Sequence, residues 1–385
     1  MRKPGRVLEA AYAEALRGAA WPGVTVLDLG GDCGRRAVLA CRHGAGRVYS
    51  VQAPDALPIA NQVAAVNGCI DRIEFIERVS GAGEEALPVD LVLAELPGGM
   101  PLHGASLARS HRSGRRRWPE GAATIPRQER MWAAVIEADD QYRQHVLPWD
   151  KVGSDWDLAA ARRLSLNSWS VLRTSCQMLV DPQNWAIVDY ASKDAGHVRA
   201  QLEWTVSRSG VGHGLAIWSE IVLAEGNVIS TSWGNPNSPV GQAFFPWLQP
   251  VTLVTGDRVT ATIQGAAIGF HDIWSWTTHI AQAGRPVRDN IRFAQSTFLS
   301  SLELPSVLGK ARSDYVPSLG EQGHIDRLAL ALMDDRAPLE EVARTLAARF
   351  PARFSSSSDA MTRVASLFRR YGMSPDPAVP TVEHV

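Results

Sequence analysis

The amino-acid sequence predicts an α/β domain with a parallel sheet, then a β-rich domain, then a small helical module. Up to Glu95, short apolar runs alternate with helix-like runs, which is typical of a doubly wound parallel sheet. Between Cys176 and Ile280 the apolar runs are short and alternating, with Gly, Asn and Pro between them, as in strands and hairpins. After Pro305 the apolar residues recur at helical spacing.

The first predicted strand, Val26 to Leu29, runs into the glycine-rich turn Gly30 to Gly34. Glycines let the backbone bend sharply and approach a ligand closely, and the helix that follows offers unpaired N–H groups to that ligand. Asp32 occupies the position at which the usual Gly-x-Gly-x-Gly spacing has a glycine. The turn therefore predicts a site for a nucleotide-type ligand, with Asp32 as its irregular residue.

The rest of the α/β domain follows in order along the chain. Its predicted elements are helix Arg35–Gly46, strand Arg47–Gln52, helix Ala56–Asn67, strand Ile73–Ile76 and strand Val89–Ala94. Gln52 stands where α/β nucleotide folds place an acidic residue that binds ribose hydroxyls, and Glu95 follows the last of these strands. Ligands bind at the carboxyl ends of parallel strands, so both residues are candidates for the site.

The composition excludes several classes of protein. Lys and Arg, 39 in number, nearly balance the 40 Asp and Glu, and the net charge of -1 indicates no general surface for nucleic acid or membranes. No apolar run approaches the roughly 18 residues that span a bilayer, and the N-terminus lacks the apolar core of a signal peptide. The four cysteines have neither zinc-ligand spacing nor the density of a disulfide scaffold. We therefore expect a cytoplasmic protein without a metal site or a nucleic-acid partner.

Four motifs, in order and at matching spacing, resemble those of class I S-adenosylmethionine-dependent methyltransferases, and within them the protein arginine methyltransferases. They are VLDLGGDCG from Val26, RVYSVQ from Arg47, NGCIDRIEFI from Asn67 and VDLVLAELPGG from Val89. Later segments resemble the family's crossover strand (AATIPRQERMWAAVIEADD), dimerisation segment (WDKVG) and β-barrel (GHGLAIWSE, VTGDRV). The resemblance covers roughly Val7 to Ile280.

The chain is predicted to divide into four parts. The resemblance implies a Rossmann-like S-adenosylmethionine-binding domain over 1–150, a dimerisation-arm-like helical segment over 151–175, with its helix at 157–171, and a β-barrel substrate domain over 176–303. The remaining residues, 304–385, lie outside the methyltransferase pattern and are predicted to form a C-terminal three-helix module of winged-helix type. The resemblance also implies S-adenosylmethionine as cofactor, a peptide or protein substrate, and a homodimer or a heterodimer with a homologous methyltransferase.

The resemblance assigns roles to individual residues. It implies that the cofactor is bound by Asp28, Gly30, Asp32, Gly34 and Gln52. Glu95 matches the first of two glutamates that hold the substrate guanidinium in the family, and two carboxylates grip that planar group bidentately. Gly104 stands in place of the second glutamate, with His103 beside it in the substrate loop.

Several positions depart from the family. The upstream arginine that contacts the cofactor matches Leu8, with Arg6 nearby, and the Thr-His-Trp loop of the barrel becomes Ser238-Pro239-Val240. Together with Asp32, Gln52 and Gly104, these changes leave two hypotheses open. The chain is either an active methyltransferase acting on an amine, amide or guanidine, or an inactive scaffold that pairs with an active homologue or recruits peptides.

Two further segments have more than one interpretation. The sequence from Tyr315 to Pro351 resembles the three-helix end of a peptide-chaperone domain of winged-helix type, a RiPP recognition element, with helices at Gly323–Met333, from Ala337, and after a cap at Ser358-Asp359. The alternative is a packing appendage without a ligand, and DNA binding is less favoured because the basic cluster there, Arg363, Arg369 and Arg370, is modest. The basic run Arg109 to Trp118 is either a solvated loop or a surface that attracts an acidic peptide.

Overall fold

A computed structural model of the chain describes residues 4–19, 22–30, 32–77, 87–95, 118–119, 121–149, 156–190, 197–232, 241–268, 271–284, 286, 290–300 and 316–372. The chain divides into two compact units, Met1–Ser301 and Leu302–Val385. Within the described ranges, no helix has the length and apolar character needed to cross a membrane.

The larger unit begins with a five-stranded parallel sheet. Its elements are α1 (Pro4–Ala19), β1 (Thr25–Asp28), α2 (Arg35–Arg42), β2 (Arg47–Gln52), α3 (Leu57–Val66), β3 (Ile73–Glu77), β4 (Leu91–Leu93) and β5 (Ala123–Ile125). The strand order is β3-β2-β1-β4-β5, and every neighbouring pair is parallel. The order of connection reverses between β1 and β4, so a crevice for a ligand is expected at the carboxyl ends of these two strands. This confirms the predicted doubly wound sheet.

Burial explains why these segments form the centre of the sheet. Val26, Leu27 and all three residues of β4 are fully buried, as expected for central parallel strands that are covered on both faces. α2 packs its apolar residues into the same core and ends at Arg42, four residues before the predicted end at Gly46. The helix stops there because Gly44 adopts a left-handed φ of 104° that an α-helix cannot contain.

The chain leaves the parallel sheet at Pro126, whose peptide bond to Ile125 is cis. β5 pairs with β4, whereas the next strand, β6 (Gln128–Glu137), pairs only with antiparallel strands. β6 lies in the segment 1–150 that the sequence assigns to the α/β domain, yet its hydrogen bonds belong to the second domain. The reason is that strand partners far along the chain leave no local signal in the sequence.

The second domain is β-barrel-like, as predicted, with two antiparallel sheets. Its remaining elements are α4 (Asp139–His145), α5 (Ala159–Leu166), β7 (Ser170–Leu172), β8 (Gln177–Met178), β9 (Gln183–Asp189), β10 (His197–Thr205), β11 (Gly210–Ala224), β12 (Asn227–Ser230), β13 (Gln242–Leu253), β14 (Arg258–Ile268), β15 (His271–Ala281) and β16 (Ile291–Ser296). One sheet has the order β10-β14-β15-β16, and the other has the order β7-β13-β11-β6-β8, with β12 on β11 and β9 on β6. Aromatic rings join the two sheets, since Phe245 of β13 contacts Trp274 and Trp276 of β15.

The helix predicted at 157–171 is shorter in the structure. α5 ends at Leu166, and the side-chain amide of Asn167 donates to the carbonyl oxygen of Arg163. Ser170–Leu172 then forms β7, which pairs with Gln242–Phe244 of β13. The last predicted turn of helix is therefore wrong, because tertiary pairing with a distant strand overrides the local helical spacing.

The smaller unit contains three helices in its described residues, 316–372. They are α6 (Glu321–Asp334), α7 (Leu339–Arg349) and α8 (Ser357–Tyr371), and they enclose a separate apolar core around Ile325, Val342, Leu346 and Val364. The N-cap of α8 is Ser356, whose hydroxyl accepts from the backbone N–H of Asp359. The predicted cap at Ser358-Asp359 is thus displaced, because Asp359 lies inside the helix and accepts from Ser355 instead.

Candidate functional site

Asp28 is the buried centre of the glycine-rich turn. It ends β1, and its Oδ1 accepts hydrogen bonds from the Gly30 backbone N–H and from Arg36 Nε, both at 3.2 Å. Its Oδ2 accepts from the Ser50 hydroxyl at 2.8 Å. Both carboxylate oxygens are therefore used within the protein, and Asp28 fixes the shape of the turn.

Arg36 is a buried cation in the same turn, and its side chain is only 10% exposed. Its Nη2 donates to the Gly30 carbonyl oxygen, and its Nη1 lies 3.2 Å from Asp32 Oδ2. Burial acts to lower the pKa of Arg36, but the carboxylates of Asp28 and Asp32 outweigh that effect and raise it above its ordinary value. The guanidinium is therefore a permanent charge beside the candidate cofactor residues.

Asp32, the irregular residue of the turn, has two oxygens in different environments. Oδ2 accepts from the Arg36 backbone N–H at 3.1 Å, in the manner of a carboxylate at a helix N-terminus. Oδ1 is buried and accepts no hydrogen bond from any residue that the structure describes. Burial raises the pKa of Asp32, Arg36 lowers it, and the neighbouring Asp28 raises it again. One oxygen thus has a structural role, and the other is a buried acceptor without a partner among the described residues.

The backbone of the turn has left-handed conformations at Gly30 (φ 76°), Cys33 (φ 55°) and Gly34 (φ 80°). A side chain at Gly34 would also place its Cβ 3.2 Å from the ring of Phe75. Glycine at position 34 is therefore required by conformation and by packing against β3. Cys33 is the unusual residue here, because non-glycine residues adopt this region at a cost.

Gln52 is joined to the turn through one hydroxyl. Its Nε2 donates to Ser50 Oγ at 2.9 Å, and Ser50 donates in turn to Asp28. The structure therefore brings the predicted cofactor residues together: Arg36 connects Asp28, Gly30 and Asp32, and Ser50 connects Gln52 to them. Arg36 and Ser50 were not among the predicted site residues.

A cavity of about 340 Å³ adjoins this network, a volume typical of small-molecule sites, which span about 300–1,000 Å³. Its lining residues come from α1, α2 and α3 and from the segments that follow β1 and β4. They are Leu8, Glu9, Tyr12, Asp32, Arg35, Arg36, Val38, Leu39, Arg42, Val63, Asn67 and Glu95. Asp32 and Glu95 bring the cavity to the carboxyl ends of β1 and β4, where the topology places a ligand, and Arg42 and Asn67 extend it to the ends of α2 and α3.

Glu95 and Tyr12 meet at the β4 side of the cavity. The Tyr12 hydroxyl donates to the carbonyl oxygen of Ala94, and burial raises the pKa of Tyr12, so the phenol stays neutral. Glu95 is exposed and receives no hydrogen bond or ion pair from the described residues. Its carboxylate is therefore free to hold a cationic or hydrogen-bonding group of a ligand.

Some predicted residues lie outside the described part of the chain. These are His103, Gly104, most of the basic run Arg109 to Trp118, and Pro239 with its neighbours. Gln242, which follows the last of these segments, is described and buried, and neither polar atom of its amide has a partner among the described residues. The same residues contain no group of three or more side chains that could hold a metal ion.

The charges at the cavity suit a ligand with both signs of charge joined to a nucleoside. Asp32 Oδ1 is an orphaned acceptor, Arg36 and Arg35 are donors, and Gln52 lies at the strand end that faces ribose in related folds. S-adenosylmethionine carries an ammonium, a carboxylate and a sulfonium on an adenosine. The residues present therefore fit this cofactor.

Comparison with known proteins finds similarity to arginine methyltransferases. No family model matches the chain. An arginine N(omega)-methyltransferase of Streptomyces achromogenes subsp. streptozoticus is 26% identical over 249 residues, which cover 62% of this chain and 67% of that protein. A probable protein arginine N-methyltransferase 6 of Arabidopsis thaliana is 26% identical over 207 residues, 52% of this chain and 47% of that protein.

Solved structures show the same fold. The Trypanosoma brucei PRMT1 enzyme-prozyme heterotetrameric complex with AdoHcy matches with a TM-score of 0.64 and 17% identity, over 76% of this chain and 94% of that chain. Arabidopsis thaliana protein arginine methyltransferase 10, in an open conformation, matches with a TM-score of 0.61 and 19% identity, over 76% and 95%.

Proposed function

We propose that this chain, which has the fold of the protein arginine methyltransferases and is similar to them in sequence, is an S-adenosylmethionine-dependent methyltransferase for a nitrogen atom of a peptide or protein. The observation that carries the proposal is the cavity whose lining includes Asp32 and Arg36, beside the glycine-rich turn, and Glu95, which follows β4. Residues of both charges, Asp32 and Arg36, thus line the same cavity as Glu95, a carboxylate without a partner among the described residues.

In this proposal, some residues of the site bind the cofactor and Glu95 binds the substrate. Asp28 holds the turn, Asp32 and Arg36 offer polar groups to the cofactor, and Gln52 lies at the position for ribose. S-adenosylmethionine, when bound, supplies an electrophilic methyl group on its sulfonium. Glu95 accepts a hydrogen bond from the substrate nitrogen group and orients its lone pair toward the cofactor, so that proximity and orientation lower the barrier.

The substrate class is broader than arginine in this proposal. In the family, two glutamates hold the substrate guanidinium, and Gly104 stands at the position of the second one. The loss of one partner from a desolvated charge pair costs about 2–5 kcal/mol. An arginine side chain is then held by Glu95 alone, unless another group supplies the second acceptor. An amine or amide nitrogen needs only one acceptor, so these groups are included.

Calorimetry and methyl transfer test the proposed function. Titration of the full chain with S-adenosylmethionine should show saturable binding in the micromolar range. Labelled cofactor should then transfer its methyl group to an arginine-rich peptide or to a matched peptide with lysine at the same positions. No heat at millimolar cofactor would overturn the proposal. Binding without transfer to any peptide would favour the scaffold hypothesis instead.

We further propose that two chains associate through the arm-like segment 151–175. The support is that Trp156 in this segment and Trp149 just before it are 73% and 41% exposed. Large exposed apolar side chains are typical of interaction sites. Sedimentation should show a dimer at micromolar concentration, and Trp156→Ser should shift it toward monomer, whereas Ile187→Ser, at an exposed residue of β9, should not. A wild-type monomer under these conditions would refute this partner.

A further inference from the structure

We infer that Asp32 and Arg36 form one binding site for the amino-acid end of the cofactor, with Asp32 Oδ1 accepting from the ammonium and Arg36 donating to the carboxylate. The inference rests on the proposed function and adds to it the residues that bind the ammonium and the carboxylate of the cofactor. Asp32 stands where the Gly-x-Gly-x-Gly spacing has a glycine, and Arg36 follows the turn, so neither side chain is part of that pattern.

The first observation is the unequal use of the Asp32 carboxylate. Oδ2 already serves the protein, since it accepts from the Arg36 backbone N–H and lies 3.2 Å from Arg36 Nη1. Oδ1 is shielded from solvent and has no partner among the described residues, although the residue lines the cavity. A buried unpaired carboxylate oxygen is costly, so an incoming N–H donor at this point restores a lost interaction.

The second observation is the incomplete use of the Arg36 guanidinium. A guanidinium carries five N–H donors, and Arg36 directs one each toward Asp28, Gly30 and Asp32. Two donors remain without partners among the described residues, and the side chain lines the same cavity. A carboxylate is the acceptor that matches paired guanidinium donors best.

The third observation concerns the other residues that line the cavity near Arg36. Leu8 of α1 lines it and has no charge to offer a carboxylate, and the nearby Arg35 is engaged by Glu9 at 3.1 Å. Arg36 is therefore the buried lining cation that is already held in place by two carboxylates and a carbonyl oxygen. A ligand carboxylate that binds there meets a donor with little remaining rotamer freedom, which favours affinity.

The arrangement predicts selectivity among cofactor-like ligands. S-adenosylhomocysteine has the ammonium and the carboxylate, whereas methylthioadenosine has the same adenosine and thioether without either group. We expect the chain to bind S-adenosylhomocysteine about a hundredfold more tightly, since two charge-assisted hydrogen-bonded contacts separate the ligands. Asp32→Asn and Arg36→Lys should each reduce that ratio by about tenfold or more. Their affinity for methylthioadenosine should not change.

Isothermal titration of the full chain with these two ligands tests the inference, with thermal unfolding of each variant as a check on folding. Glu74→Gln is the matched control, because it alters a solvent-exposed carboxylate–guanidinium pair, with Arg47, whose residues do not line the cavity. It should leave the ratio unchanged. If Arg36→Lys fails to fold, Asp32→Asn still decides the question, because its side chain is partly exposed and the replacement is isosteric.

Different results separate the inference from the proposed function. An unchanged ratio in Asp32→Asn, or a rise in S-adenosylhomocysteine affinity in Arg36→Lys, would overturn the inference while the methyltransferase proposal stands. A rise in affinity in Arg36→Lys would mean that the Arg36 side chain blocks the space that the ligand needs. A wild-type chain that binds neither S-adenosylhomocysteine nor S-adenosylmethionine at millimolar concentration would overturn both.

Discussion

Glu95→Gln is expected to reduce methyl transfer by about a hundredfold or more while the affinity for the cofactor changes little. Glu95 lines the cavity and has no ion-pair partner among the described residues, so its charge is available to a substrate nitrogen group. Glutamine has the same shape but accepts only a neutral hydrogen bond, which is about half as strong. Single-turnover rates with labelled cofactor measure the effect, and calorimetry measures cofactor binding separately.

The control for this variant is Glu74→Gln on β3. Glu74 is an exposed carboxylate that pairs with Arg47 outside the cavity, and surface pairs of this kind contribute about 0–1 kcal/mol. Its replacement should leave the transfer rate unchanged. Equal rates for wild type and Glu95→Gln would show that Glu95 does not contact the substrate. A parallel loss of cofactor binding would instead place Glu95 at the cofactor.

Much of the candidate site follows from the sequence because strand ends are predictable. Alternating apolar and helical segments fix a parallel sheet, and the sheet in turn places Asp28, Gln52 and Glu95 at one edge. No knowledge of side-chain geometry is needed for that step. The fold class and the common edge at which these three residues lie therefore follow from the order of strands and helices along the chain.

Arg36 was not predicted, although the sequence contains a signal for it. Two arginines, Arg35 and Arg36, stand in the first turn of α2, where the helix dipole favours acids rather than cations. Asp32 precedes Arg36 by four residues, a spacing that lets the two side chains meet. A cation at an unfavourable helix end with an acid at this spacing indicates a buried ion pair.

The β-barrel-like domain is harder to predict in detail because its pairings are distant. β7 binds to β13 across about seventy intervening residues, and the spacing of apolar residues before it is helical. Likewise, among the tryptophans after Gly114, Trp276 is fully buried whereas Trp156 is 73% exposed. Only the paired sheets decide which of them form the core.

Trp276→Ala is expected to lower the free energy of unfolding of the larger unit by about 3–5 kcal/mol. Trp276 is fully buried, its indole N–H donates to the Pro246 carbonyl oxygen at 3.1 Å, and its ring lies edge-on to Phe245 at 4.8 Å. The ring thus fills the space between the two antiparallel sheets and satisfies a backbone carbonyl as well. Denaturant unfolding followed by tryptophan fluorescence measures the change.

Two matched variants separate the contributions of the ring and the hydrogen bond. Trp276→Phe keeps an aromatic ring against Phe245 but loses the donor to Pro246, so its cost should be smaller than that of Trp276→Ala. Ile187→Ala removes a large apolar side chain that is 59% exposed on β9, and its effect should be within about 0.5 kcal/mol of zero. If Trp276→Ala cost no more than Ile187→Ala, the two sheets would not depend on this ring for their packing. The barrel core would then have to be held by Trp247 and Trp274, whose replacement by alanine would show the larger loss.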